Sequence, residues 1–188
     1  MESPVSRREK YLADVIEFGP NIRNVPDEIR TPEFCILAAK QTMGVINWLP
    51  LHLLTYDLCL AAVEFNGYSF VWVPESLKRR ELCLIAVRNY SGALNWVPNE
   101  LKTYELCLLA VRQRGINLIY VPKQMRTREL CLMAVTDCGV ALQAVPKEII
   151  ESPGFLESLK GGLKLEETGE YCNALHVDDI GNYNHLFQ

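Results

Sequence analysis

A fixed period constrains this chain more than any other feature. Cys35, Cys59, Cys83, Cys107 and Cys131 follow one another at intervals of 24 residues, and so do Pro26, Pro50, Pro74, Pro98, Pro122 and Pro146. An unbroken spacing of this kind means a tandem array of one supersecondary unit, each copy burying its apolar face against its neighbours. The stretches "ELCLIAVRNYSGALNWVP", "ELCLLAVRQRGINLIYVP" and "ELCLMAVTDCGVALQAVP", which begin at Glu81, Glu105 and Glu129, show how little the framework changes between copies.

The unit reads T-x-[ED]-L-C-L-x-A-V, a few polar positions, a glycine, then L-x-W-V-P-x-x-L. Thr31, Thr55, Thr103 and Thr127 stand where a helix N-cap is expected, Pro32 at a first helical position, and Glu33, Asp57, Glu81, Glu105 and Glu129 in the first turn. The run that follows, such as "LCLLAV" from Leu106 to Val111, is apolar nearly all round, which fits a helix packed on more than one side. The spacing predicts about three helical turns per copy, with Gly67, Gly92, Gly115 and Gly139 as the C-terminal stop. A second, short helix carrying Leu94 and Val97, or Leu118 and Val121, must end at the residue before proline, which then opens one further turn.

The fold class expected is therefore all-α: an α-solenoid of about six 24-residue helix, short helix and turn repeats within residues 1–160. Copies fall at about 7–30, 31–54, 55–78, 79–102, 103–126 and 127–150, with a capping helix at 152–160 and an acidic tail at 161–188. A leucine-rich-repeat-like solenoid is the alternative. It needs an L-x-L strand where this chain has a capped, alanine-containing run such as "AVRQRG". In the degenerate first copy Lys10, Tyr11 and Asp14 replace the Leu, Cys and Ala of later copies, as expected of a terminal face with no neighbour to cover it.

Through the motif T-x-E-L-C-L-x-A-V…G-x-x-L-x-x-V-P-x-x-L, over roughly Thr31 to Ile150, the sequence resembles a bacterial domain-of-unknown-function family of tandem helical repeats. That resemblance implies a helical repeat fold and an occurrence among effector-type proteins of pathogens and symbionts. It implies no catalytic residue.

Charge narrows the functional classes. In residues 161–188 Lys164 stands against Glu166, Glu167, Glu170, Asp178 and Asp179, so that segment carries the whole formal charge of −4 and residues 1–160 are neutral. A neutral body lacks the footprint of a nucleic-acid binder. No apolar run is long enough to span a bilayer, and "MESPVSRREKYLADV" lacks a signal peptide's apolar segment. A cytoplasmic location is expected, or passage into a host cell without a cleavable signal.

Four groups of residues are candidates for chemistry. The cysteine ladder reads as small buried side chains in a reducing compartment, because packed helices lie about 8–10 Å apart, too far for a disulfide or a shared metal ion. Cys138 and Cys172 lie off the ladder and are expected as exposed thiols. Trp48, Trp72, Trp96 and Tyr120 form an aromatic column, ending at Ala144, that is either core between copies or a strip for a partner. A basic column runs through Lys78, Arg79, Arg80, Lys102, Arg126 and Arg128 and reads as solvated loop ends or a surface for an acidic partner.

"CNALHVDD" places Cys172 and His176 at i, i+4 with His185 beyond, the one arrangement that permits a thiol–imidazole pair or a metal site. Otherwise no catalytic constellation, metal-ligand set or cofactor motif is present. The columns that differ most between copies follow the first helix. They are Lys40/Glu64/Arg88/Arg112/Thr136, Gln41/Phe65/Asn89/Gln113/Asp137 and Thr42/Asn66/Tyr90/Arg114/Cys138. Constant framework with variable helix ends points to a protein–protein interaction module, an effector or a small cytosolic regulator. Arg88, Tyr90, Arg112 and Arg114, with Trp48, Trp72, Trp96 and Tyr120, would meet the partner. A single-stranded nucleic-acid reader using the aromatic and basic columns is the second class, and a thiol or metal enzyme built on the C-terminal segment the third.

Overall fold

The computed structural model describes residues 4–162; Cys172, His176, His185 and nearly all of the acidic tail lie outside the described residues. Among the described residues there are α-helices and 3-10 helices and no strand, so the repeat is all-α and the leucine-rich alternative falls. The chain divides into two compact units, Met1–Leu101 and Lys102–Gln188. Within each, a copy packs on the copy next to it, the mode of stacking that defines a solenoid.

The main helices are α1 (Pro4–Glu17), α2 (Pro32–Ala39), α3 (Tyr56–Phe65), α4 (Arg80–Asn89), α5 (Tyr104–Gln113) and α6 (Arg128–Asp137), followed by α7 (Lys147–Ile150) and α8 (Phe155–Gly162). Each predicted threonine caps its helix. The hydroxyls of Thr31, Thr55, Thr103 and Thr127 accept from the amides of Phe34, Leu58, Leu106 and Leu130 at 3.3 Å. Such a bond satisfies an amide that the helix itself leaves orphaned. Arg79 takes this position in its copy and caps nothing with its side chain. The apolar runs are buried in part: Leu82, Cys83, Ala86 and Val87 of α4 are wholly so, but Leu84 is 41% and Leu37 of α2 39% exposed. At the N-terminal end Lys10 is exposed and Tyr11 and Asp14 are only half-buried, as a terminal face requires.

The second helix is of the 3-10 type. It covers Gly67–Trp72, Ser91–Trp96, Gly115–Tyr120 and Gly139–Ala144, and closes at an extended valine before the proline. With about three residues per turn, positions three apart eclipse. Phe70 and Val73, or Leu118 and Val121, therefore share the buried face. A further 3-10 turn after the proline, such as Glu75–Leu77, returns the chain to the next copy.

The glycines do not stop the first helix by a left-handed turn. Among the described residues positive φ occurs only at Gly44 and Gly154. Gly67, Gly115 and Gly139 instead open the 3-10 helix, and the first two lie against the next copy. A Cβ on Gly67 would come within 2.7 Å of the Ala86 carbonyl oxygen, and one on Gly115 within 2.2 Å of that of Ala134. The column is small because the backbones of adjacent copies touch there. Ser91 holds the place in the fourth copy, so Gly92 is one residue off the column.

In the basic column Arg79 and Arg80 are exposed, as read, but the other members differ. Lys78 is not a solvated loop end: its side chain is 5% exposed, and its ammonium donates to the Trp96 carbonyl at 2.9 Å and to Glu75 at 2.6 Å. Lys102 donates to the Tyr120 carbonyl at 3.0 Å, and Arg126 to the carbonyls of Val121, Ile119 and Ala144. The receiving oxygens of Trp96, Tyr120 and Ala144 end 3-10 helices, where carbonyls lack intrahelical partners and negative potential gathers. The cation at the end of one copy thus ties down the short helix of the next. Arg128 likewise turns to Ser152 Oγ, at 2.8 Å, and to the Pro153 carbonyl.

Gly115→Ala should cost about 1–3 kcal/mol, the range for overpacking, because neither backbone can yield. Gly92→Ala should cost less, since the atoms nearest its Cβ belong to the Tyr90 side chain and not to backbone. Urea unfolding of the two variants checks the order.

Candidate partner-binding surface

The aromatic column is neither core nor free strip. Trp48, Trp72, Trp96 and Tyr120 are each half-buried, and Ala144 is buried. Trp48 carries a cation on its ring, the Arg23 guanidinium at 4.2 Å. Trp72 and Trp96 belong to a different arrangement in the Met1–Leu101 unit. There the Tyr68 ring meets Trp72, Tyr90 and Trp96 edge-to-face at 5.5, 5.6 and 5.4 Å, while Tyr90 stacks on Trp96 at 6.1 Å. Four rings in these orientations attract one another beyond their burial and hold one geometry.

The cluster nevertheless remains open to solvent, with Tyr68 40% and Tyr90 37% exposed. Gly92 makes it possible. A Cβ at Gly92 would come within 2.8 Å of two ring carbons and the hydroxyl oxygen of Tyr90, so the missing side chain lets the ring fold back over the short helix. Sequence reasoning passed over Tyr68, which stands outside the three most variable columns. In the other copies its position is held by Pro20, Gly44, Gly92, Ile116 and Val140, so an isolated aromatic was the signal.

The structure divides the remaining candidates. Arg88 is exposed on α4, two residues from Tyr90. In the Lys102–Gln188 unit Arg112 and Arg114 are exposed, and Arg112 lines a shallow groove with Val111, Leu132, Met133, Thr136 and Asp137. Part of the variable surface is used internally. Asn89 donates to the carbonyls of Val63 and Glu64 at 3.1 and 3.2 Å, and the Asp137 carboxylate accepts from the Gly115 amide at 2.6 Å. These two side chains join their copy to the one before it.

The ladder cysteines Cys35, Cys59, Cys83, Cys107 and Cys131 are fully buried free thiols. Burial pushes Cys35, Cys59, Cys83 and Cys131 up to about 11 and raises Cys107. The nearby Arg30, Lys78, Lys102 and Arg126 pull Cys35, Cys83, Cys107 and Cys131 the other way, but burial prevails. Cys138, expected as an exposed thiol, is buried. Among the described residues no group of three or more His, Cys, Asp or Glu is placed to hold a metal ion. No described helix is long and apolar enough to cross a membrane.

The sign of the thiol shift sets a pH dependence. A group whose value is raised from about 9 to about 11 on folding stabilises the fold fully below pH 9, and that contribution is lost as pH rises through 11. The urea midpoint should therefore fall between pH 8 and pH 10.5. The Cys59→Ala chain, with one titrating thiol fewer, should lose less over the same interval. At pH 8 the six described cysteines should react with a disulfide reagent only after denaturant is added.

Residues 55–102 match the family model described as Domain of unknown function (DUF4116). The match spans two consecutive 24-residue copies, Thr55 to Lys102, and contains Tyr68, Trp72, Tyr90 and Trp96. No curated protein and no solved structure matches the chain significantly. Over those two copies, then, the chain is similar to a domain-of-unknown-function family.

Proposed function

We propose that this protein is a protein-interaction module, an effector or a small cytosolic regulator, which acts by holding a partner protein. The observation that carries the proposal is the half-exposed cluster of Tyr68, Trp72, Tyr90 and Trp96. Tyr and Trp give large contact areas for little lost side-chain freedom, and rings already fixed by one another lose less still on binding. Arg88 adds charge beside the rings, and Arg112 and Arg114 provide a separate exposed basic site in the Lys102–Gln188 unit. The single-stranded nucleic-acid reading loses support, because Lys78, Lys102 and Arg126, three of the six cations of its basic column, are engaged with carbonyl oxygens.

A photo-crosslinking side chain placed at Tyr68 or Tyr90 should give one discrete protein adduct in lysate, and the same group at Glu100 should give none. Arg88→Glu combined with Trp96→Ala should reduce that adduct at least about tenfold, the loss expected of a hot spot. Equal adducts from all positions would remove the surface. Salt-dependent retention of a single-stranded oligonucleotide instead would restore the second reading.

A further inference from the structure

The copies are not joined alike. Where copy 55–78 meets copy 79–102, three devices act together. Gly67 lets backbone meet backbone at Ala86, Lys78 ties to the Trp96 carbonyl, and Asn89 caps the carbonyls of Val63 and Glu64. Copies 103–126 and 127–150 repeat the scheme with Gly115 against Ala134, Arg126 on the Ala144 carbonyl and Asp137 on the Gly115 amide.

The joint between copies 31–54 and 55–78 lacks all three. Met43 occupies the glycine column and is 52% exposed; a side chain there forbids the close approach. The chain escapes through Gly44 at φ 79°, and the 3-10 helix shrinks from six residues to the four of Val45–Trp48. Leu54 stands where Lys78 and Arg126 stand, and offers no donor to the next short helix. Phe65, in the column of Asn89 and Asp137, is exposed on the surface. What replaces them is an Asn66 amide on the Met43 sulfur at 3.1 Å and the Trp72 ring resting near Gly44. In the joint before it Gly19 keeps the small residue against the Met43 carbonyl, and Arg23 covers Trp48.

We infer that the Met1–Leu101 unit contains a compliant joint at Leu54/Thr55, and that residues 4–54 open there from residues 55–101. Helices α2 and α3 still pack their apolar faces together, so the native state is closed, but its opening breaks no charged tie and no backbone-to-backbone contact of the kind made by Gly67. Sub-global opening follows such differences between neighbouring blocks, and in stacked repeats it follows the weakest interface. The inference is independent of which surface binds a partner.

Hydrogen exchange of the full chain, read by mass spectrometry, tests it. Buried amides of α1, of the 3-10 helix Gly19–Asn24 and of α2 should be protected at least about tenfold less than those of α3 and α4, with the step at Thr55. Leu54→Lys, which offers a tie to the next short helix, should raise protection of the first block about threefold or more while leaving α4 unchanged. Lys78→Leu should conversely lower α3 relative to α4. One common protection level from α1 to α4, or a smooth rise from α1 to α3 with no step at Thr55, would overturn the inference even if a variant failed to fold.

Discussion

The structure depends on how closely one copy's short helix approaches the first helix of the next. At Gly115 that approach leaves no room for a methyl group before the Ala134 carbonyl, and at Gly67 the neighbours are the Ala86 carbonyl and the Tyr90 amide. Contact of this kind is set by backbone geometry, so it recurs only if every copy has the same length. The period of 24 residues without insertion is what the contact demands. Adding one residue would rotate the 3-10 helix by about a third of a turn and carry Phe70 or Leu118 off the buried face.

Around that contact, polar chemistry is spent on the joints. The cations of Lys78, Lys102 and Arg126 sit in partly dry surroundings and face carbonyl oxygens at the ends of short helices. Burial lowers the proton affinity of Lys102 and Arg126 accordingly. Asn117 does similar service inside one copy, donating to the Ala110 carbonyl at 2.9 Å, and Asn21 does so in the first copy with the Asp14 carbonyl at 2.9 Å. Leaving any of these oxygens unpaired would cost about 1–3 kcal/mol, comparable to a whole cap or a large part of a joint. The copies without such donors are consequently the ones expected to open first.

The fold was legible where the signal is local. Threonine caps, the apolar run of the first helix and the proline boundary each follow from short-range rules, and Thr55, Leu58 and Pro74 stand as those rules require. What could not be read was whatever depends on the neighbouring copy. A glycine after a helix reads as a left-handed stop, yet Gly67 and Gly115 answer to backbone a full copy away. Lysine and arginine near a turn read as solvated, yet Lys78 reaches a carbonyl 18 residues on. The surface was half legible for the same reason. Trp72, Trp96 and Tyr90 were visible as column members, whereas Tyr68 matters only because Gly92 lets the Tyr90 ring fold back and Tyr68 touches all three other rings.

If each copy is held by one set of joints to its nearest neighbours, a copy is a removable part. Excision of residues 55–78, joining Leu54 to Arg79 in register, measures this directly by far-ultraviolet circular dichroism and urea unfolding. The account predicts unchanged helicity per residue and one cooperative transition, with a denaturant slope reduced in proportion to the surface removed. A chain that loses its helicity, or unfolds without a cooperative transition, would contradict it.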